Sequence, residues 1–268
     1  MMDLFEHQGR SPRLERRRME EMSMTNYQIE QFKKLKTEVT RFMMMYQFAL
    51  NELETKIEIV KEEFQFLHDY NPIEHTKSRV KSLESIMNKI GRKGIAFSLE
   101  DIKREIKDIA GLRITCSFIS DIYRIRDMLQ NQFNLHIFEV KDYIEHPKPN
   151  GYRSLHLLAE VPVNMSDGSE SVCVEIQIRT IAMDFWASLE HKIFYKYNQS
   201  VPARLIQELK EASDSANRLD QQMERLHREI SVIKENQADD TEELTRLFLN
   251  NKAFQLPQAL LELGKEAE

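Results

Sequence analysis

Cysteine occurs only twice in the 268 residues, and glycine and proline seven times each. Cys116 and Cys173 both sit inside apolar stretches. One disulfide is arithmetically possible, but two scattered, buried thiols fit a reducing cytosol better. The scarcity of glycine leaves no Walker A loop and no GxGxxG turn to wrap a phosphate. No His/Cys group has zinc-finger spacing, and no nucleophile elbow occurs. His68-Asp69 would suit a metal-dependent phosphohydrolase only with more His and Asp on neighbouring helices. Upstream there is only His7, so the pair reads as a helix end. The formal net charge of −6 argues against a general nucleic-acid coat, which needs excess Lys and Arg against phosphates. A small basic nucleotide pocket remains compatible with it. No apolar run approaches the ~20 residues that span a bilayer. Met1 to Met24 is polar and lacks the apolar core of a secretory signal. The expectation is a cytoplasmic protein with no membrane contact.

What is present is strong periodicity. From Asn26 to Tyr70, apolar residues from Phe32 through Tyr46, Leu53 and Phe64 to Leu67 recur at three and four, predicting one long helix that Asn71-Pro72 ends. A shorter helix is predicted over Lys77 to Arg92, with Val80, Leu83, Met87 and Ile90 buried and Gly94 closing it. Ser98 reads as the N-cap of a helix over Leu99 to Lys107. The period then changes. Leu112, Ile114 and Cys116 alternate with Arg113, Thr115 and Ser117 as a strand. Ile119 to Gln132 is helical, and Leu135 to Ile144, Ser154 to Val163 and Val172 to Thr180 read as strands. Asp167-Gly168 joins the last two as a hairpin. Ile181 to Tyr197 is a helix. After Pro202 a long helix to Asn236 carries Leu205, Leu209, Ala212, Ala216, Leu219, Met223, Leu226, Ile230 and Ile233 at coiled-coil spacing. A last short helix is expected near Thr241 to Leu249. The fold class is therefore α+β: a mixed, mainly antiparallel sheet flanked by helices, with long N- and C-terminal helices.

Four segments concentrate polar chemistry. Glu175, Gln177 and Arg179 leave one face of a strand whose other face is wholly apolar. A solvated sheet face gives the same alternation, but acid, amide and guanidinium in a row also suit proton or metal handling beside phosphate. Asp108 stands at a strand entrance with Arg113 five residues on, a pattern that an ordinary helix-to-strand turn also produces. Arg79, Lys81, Ser85, Lys89 and Arg92-Lys93 gather positive charge that a triphosphate or plain solvent could meet. Lys148-Pro149-Asn150-Gly151 stiffens a loop before Tyr152, Ser154 and His156, which alternate onto one face. Tyr152 there is a platform for stacking a base, or a packed turn residue.

In this order, Arg79-Val80-Lys81 with Ser85, Asp108-Ile109-Ala110-Gly111-Leu112-Arg113, Asn150-Gly151-Tyr152-Arg153-Ser154-Leu155-His156 and Glu175-Ile176-Gln177-Ile178-Arg179-Thr180 resemble the synthetase domain of Rel-type (p)ppGpp synthetases. The resemblance covers roughly residues 70 to 197 and leaves no room for a hydrolase domain, so the chain is similar to stand-alone bacterial small alarmone synthetases. It implies a nucleotidyltransferase-like synthetase fold, transfer of the β,γ-pyrophosphate of ATP to the 3′-hydroxyl of GDP or GTP, Mg²⁺ dependence and a homotetramer. By matching position it implies that Asp108 ligates Mg²⁺ and that Glu175 ligates it or acts as base on the 3′-hydroxyl, the choice of base between the two carboxylates staying open. Arg79 and Arg113 would sandwich adenine, and Lys81, Ser85 and Lys89 would take the ATP phosphates. Tyr152 would stack on guanine, with Lys148, Asn150, Gln177 and His191 on the acceptor nucleotide. The expected organisation is a flexible polar tail over 1–24, a synthetase domain over 25–200 and a helical extension over 201–268. The Arg run from Arg13 to Arg18 reads as a solvated tail, with an RNA- or phosphate-contacting role as the alternative, and regulatory binding of (p)ppGpp at an intersubunit cleft stays open. The competing reading is a catalytically silent guanine-nucleotide or RNA-binding regulator.

Overall fold

Alternation in the middle of the chain builds the sheet that everything else rests on. The computed structural model describes residues 26–68, 70–133, 135–194, 202–235, 246–249 and 252–255. The tail over 1–24 and its Arg run lie outside them. Helix α1 is Asn26–Leu67, followed by strand β1 (Ile73–Val80), helices α2 (Leu83–Lys93) and α3 (Leu99–Glu105), strand β2 (Ala110–Cys116) and helix α4 (Ile119–Gln132). Strands β3 (His136–Asp142), β4 (Leu155–Met165) and β5 (Gly168–Thr180) follow, then helices α5 (Ile181–Phe194) and α6 (Ala203–Glu235). A small hairpin of β6 (Arg246–Leu249) and β7 (Lys252–Gln255) comes last. The chain divides into two units at Met44/Met45. In the first, the described part is the start of α1; all of the sheet is in the second.

The main sheet has the order β1-β2-β5-β4-β3. β2 and β5 are parallel, and the other three pairings are antiparallel. This is the mixed, mainly antiparallel sheet expected. On its apolar face, Val172, Val174, Ile176 and Ile178 of β5 are buried beside Leu155, Leu157 and Ala159 of β4 and Leu112 and Ile114 of β2. Each of these Val, Leu and Ile side chains contributes on the order of 2 kcal/mol by leaving water. Helices α4 and α5 pack on β2 and β5, and α6 packs on both helices. α1 buries Tyr46, Leu50, Leu53, Ile57 and Phe64. It is tied down by Lys56 donating to the Phe133 carbonyl and by the Arg124 guanidinium over the Phe64 ring.

Three sequence expectations fail locally. The helix expected from Lys77 starts only at Leu83; residues up to Val80 form β1. Ser82 caps α2 by accepting from the Ser85 amide, and the buried stripe is Ile86 and Ile90, with Leu83 and Met87 exposed. Tertiary pairing of β1 with β2 overrides the local period. Of the short helix expected near Thr241 to Leu249, the described residues 246–249 are strand β6, paired antiparallel with β7. Two short runs around Asn250-Asn251 carry a hairpin signal that the helical reading passed over. Cys116 is buried but Cys173 only half-buried; both are free.

The buried side of α6 is polar. Ser213, Asp220 and Glu224 turn inward, whereas Leu219, Met223, Leu226, Ile230 and Ile233 of the heptad seam are exposed. Asp220 accepts from Thr180 Oγ1 at 2.5 Å. Burial, helped by the Glu224 charge and opposed by the Thr180 hydrogen bond, pushes its carboxyl up to about 6. Because the folded state holds this proton more tightly than the unfolded chain, stability falls as pH rises from ~4 through ~6. Asp220→Asn keeps the acceptor for Thr180 and removes the buried charge. Urea unfolding of this variant is expected to show little change near pH 4 and a gain of roughly 2 kcal/mol at pH 7.5.

Candidate active site

The pairing register gathers the polar residues into rows, because laterally paired residues share a sheet face. Arg79 of β1 stands opposite Gly111 of β2, and Gly111 opposite Glu175 of β5. The next row runs Lys77, Arg113, Gln177 and His156 across four strands. Thr115 then pairs with Arg179. Gly111 has no side chain, so the space between Arg79 and Glu175 stays open; even a Cβ there would meet only the Glu175 carbonyl, at 3.9 Å.

Two clusters occupy this face. In the first, Asp108 lies just before β2. Its Oδ2 takes Lys81 Nζ and its Oδ1 takes Lys89 Nζ, both at 2.7 Å. Lys81 reaches it from the end of β1, whose chain is fixed by the Lys81 amide donating to Ile109 O. Lys89 reaches it from α2. Burial raises the Asp108 carboxyl, but the two ammonium groups outweigh it and hold it below the usual range. Ser85 sits in the first turn of α2, its hydroxyl 2.8 Å from that of Ser82. Oriented amides and the helix dipole make such a turn receptive to an anion.

In the second cluster, Glu175 Oε2 accepts from Gln177 at 2.8 Å and Oε1 lies 3.2 Å from His156 Nδ1. His156 Nε2 is 2.8 Å from the Tyr152 hydroxyl, which accepts from Arg179 Nη2 at 2.5 Å. Arg179 can only donate, so the Tyr152 oxygen accepts from it; with the His156 proton on Nδ1, that nitrogen donates to Glu175 and Nε2 accepts the Tyr152 O–H. Burial raises Glu175; His156 and Gln177 more than offset it, so its carboxyl lies below the usual range despite the nearby Asp108 charge. That influence of Asp108 places the two carboxylates within electrostatic reach. The Tyr152 phenol is pushed up by burial, against the pull of Arg179, so it remains a donor.

The loop that leads into β4 is anchored on both sides. Asn150 Oδ1 accepts from the Tyr152 amide, and its amide group reaches Glu190 on α5 at 3.5 Å. Lys148 Nζ and the Arg179 guanidinium lie over the Tyr152 ring, 4.7 and 5.0 Å from its centroid. Gly151, at φ +90°, presses against α6. There Ser213 donates to its carbonyl, and Arg153 pairs with Asp214 at 3.2 Å.

The structure thus brings Asp108, Lys81 and Lys89 together, and separately Glu175, Gln177 and Tyr152 with Lys148 and Asn150. Arg113 joins the second group through Asp184, at 2.9 Å. Arg79 is exposed on β1 and electrostatically close to Arg113. Neither Arg79 nor Lys81 belongs to a helix, which corrects the expected cationic helix face. His191 lies on the exposed last turn of α5. Sequence reasoning left out His156, Arg179 and Asp184 as site residues. The first two stand inside motifs already recognised. Asp184 carries no local signal, since its link to Arg113 exists only in three dimensions.

Comparison with known proteins bears on this arrangement. The pattern described as "Region found in RelA / SpoT proteins" matches residues 78–200. GTP pyrophosphokinase YwaC of Bacillus subtilis is 56% identical over 188 residues, covering 70% of this chain and 90% of that protein. The crystal structure of small alarmone synthetase 2 from Bacillus subtilis superimposes with a TM-score of 0.65 at 54% identity, over 72% of this chain and 99% of that one. Small alarmone synthetase 1 of the same organism, bound to its product pppGpp, gives 0.66 at 38% identity, over 72% and 98%. With the four motifs in order and the sheet that aligns them, the chain belongs to the RelA/SpoT family, among its small alarmone synthetases.

Proposed function

We propose that the chain is a (p)ppGpp synthetase of the stringent response, moving the β,γ-pyrophosphate of ATP to the 3′-hydroxyl of GDP or GTP and releasing AMP. The observation that carries this is a Lys–Asp–Lys cluster within electrostatic reach of a Glu–His–Tyr relay. One cluster suits polyphosphate, the other a hydroxyl that must lose its proton.

The proposed roles are those that the family resemblance implies, and the two clusters support them. Lys81, Lys89 and Ser85 take ATP phosphates, the lysines leaving Asp108 for the stronger negative charge. Arg79 and Arg113 hold the adenine. Tyr152 stacks on guanine, and Lys148, Asn150, Gln177 and His191 orient the acceptor nucleotide. Glu175 accepts the proton of the 3′-hydroxyl. The 3′-oxygen then forms a bond to the β-phosphorus as the bond from that phosphorus to the α,β-bridging oxygen breaks, and AMP departs with that oxygen. His156 holds Glu175 ionised and aimed.

Asp108 and Glu175 fit Mg²⁺: both are oxygen donors held ionised, and Mg²⁺ commonly binds through one or two carboxylates plus substrate phosphates. Among the described residues no three His, Cys, Asp or Glu side chains form a cage of their own, which suits a metal that completes its shell with phosphate and water. Bound there, Mg²⁺ would supply positive charge to the triphosphate.

The proposed assembly is a homotetramer. The exposed stripe Ile181, Phe185, Leu189 and Ile193 on α5, together with the exposed seam of α6, supports burial between copies. Among the described residues no helix is long and apolar enough to cross a membrane, which supports the proposed cytoplasmic location. Purified protein with Mg²⁺, ATP and GDP or GTP is expected to form AMP and a 3′-pyrophosphorylated guanine nucleotide in equal amounts. Binding of guanine nucleotide with ATP left intact would instead identify a silent regulator.

A further inference from the structure

We propose that Asp184 is a positioning residue that locks Arg113 and Arg179 into one bridge and thereby couples the ATP side of the site to the acceptor side. This rests on the proposed function for the naming of the two sides. Its geometry stands by itself. Asp184 Oδ1 lies 2.9 Å from Arg113 Nη1 and 3.2 Å from Arg179 Nη1. A single carboxylate oxygen therefore serves two guanidinium groups.

Arg179 is the better-held partner. It is 5% exposed and is also bound by Ser154, Gln177 and Tyr152. Arg113 has far less. Its Nε is buried without a hydrogen-bond partner, and Asp184 is its ion-pair partner among the described residues. Burial and the charge of Arg179 both disfavour the charged form of Arg113, and Asp184 opposes them. Remove the carboxylate charge and two like charges face each other in a partly desolvated site, where repulsion is screened less than in water. The mobile member, Arg113, then swings away while Arg179 stays in its hydrogen bonds. Because Arg179 holds the Tyr152 hydroxyl, the bridge runs from Arg113 on the adenine side through Asp184 and Arg179 to Tyr152 on the guanine side.

A simpler role is available to Asp184. It lies in the first turn of α5, where a carboxylate favours the helix. That role predicts lost stability with no selective effect on either nucleotide. The bridge predicts a selective one.

The test is Asp184→Asn, which keeps size and an acceptor oxygen but removes charge. Titration with a non-hydrolysable ATP analogue should show about tenfold weaker binding, the size expected for a charge-assisted contact. KM for ATP should rise similarly, with kcat lowered less than KM is raised. Addition of GDP should shift analogue affinity in the wild type and shift it by a smaller factor in the variant. In an Arg113→Ala background, Asp184→Asn should add nothing to the loss of analogue affinity, because the two act as one unit. Asp184→Glu keeps the charge on a longer stem and should lie between wild type and Asp184→Asn. The proposal is overturned if Asp184→Asn binds the analogue as wild type does, or if its effect adds in full to that of Arg113→Ala. Should Asp184→Asn not fold, wild-type analogue affinity in Asp184→Glu overturns it. The titrations need no turnover, so they judge Asp184 even where wild-type protein forms no pyrophosphorylated product.

Discussion

Glu175→Gln is expected to lower kcat about 10³-fold while nucleotide affinities change only a few-fold, because general-base assistance contributes within 10²–10⁴. Gln has nearly the shape of Glu and can still meet Gln177 and His156, so the pocket survives. What disappears is the group that takes the 3′-hydroxyl proton. The wild-type pH profile carries a matching sign. With Glu175 held below the usual carboxylate range by His156 and Gln177, its ionised form persists as pH falls, and the acid limb of kcat lies below that range. Single-turnover kinetics at saturating ATP and GDP, carried from about pH 3 to about pH 9 so as to pass below the usual carboxylate range, measures both. A variant retaining a tenth or more of wild-type kcat would remove Glu175 from the proton transfer.

Gly151→Ala has the second large effect, and it acts through α6. The residue sits at φ +90°, which costs an L side chain on the order of 1–2 kcal/mol. The new Cβ would also lie 2.7 Å from Ser213 Cβ and 3.3 Å from Lys210 Cα. Since Lys210 Cα is helix backbone, the loop must move rather than the helix. That loop carries Lys148, Asn150 and Tyr152. KM for GDP or GTP should rise tenfold or more, and Tm should fall by about 5 °C. ATP-analogue binding should change less, as the Lys81–Asp108–Lys89 cluster does not touch the loop. Equal loss on both nucleotides would contradict the separation of the two sides.

The same contact explains what could and could not be read from sequence. Strand β5 was legible because its alternation is complete: Val172, Val174, Ile176 and Ile178 inside, Glu175 and Gln177 on the working face. Asn150-Gly151 was legible as a turn, but nothing local says that Ser213, 62 residues away, receives it. Strand β1 was misread as helix because Lys77 to Val80 leads directly into the true helix α2, and only pairing with β2 makes it extended. The heptads of α6 were visible, yet their face is exposed and the buried face is Ser213, Asp220 and Glu224. A polar inner face gives no hydrophobic period to find. Among site residues, Asp108 and Glu175 were reached through their motifs. His156 and Arg179 were seen in the same motifs without a role, and the relay that gives them one depends on Cα pairings between strands.

The central claim is that this face joins two nucleotides by moving a pyrophosphoryl group. The direct measurement uses two preparations of ATP, one labelled in the α-phosphate and one in the γ-phosphate, each mixed with unlabelled GDP, Mg²⁺ and pure protein. The account predicts that the α-label appears only in AMP and the γ-label only in a guanine nucleotide bearing a 3′-pyrophosphate. Release of the γ-label as free phosphate, or both labels remaining in ATP, would contradict it.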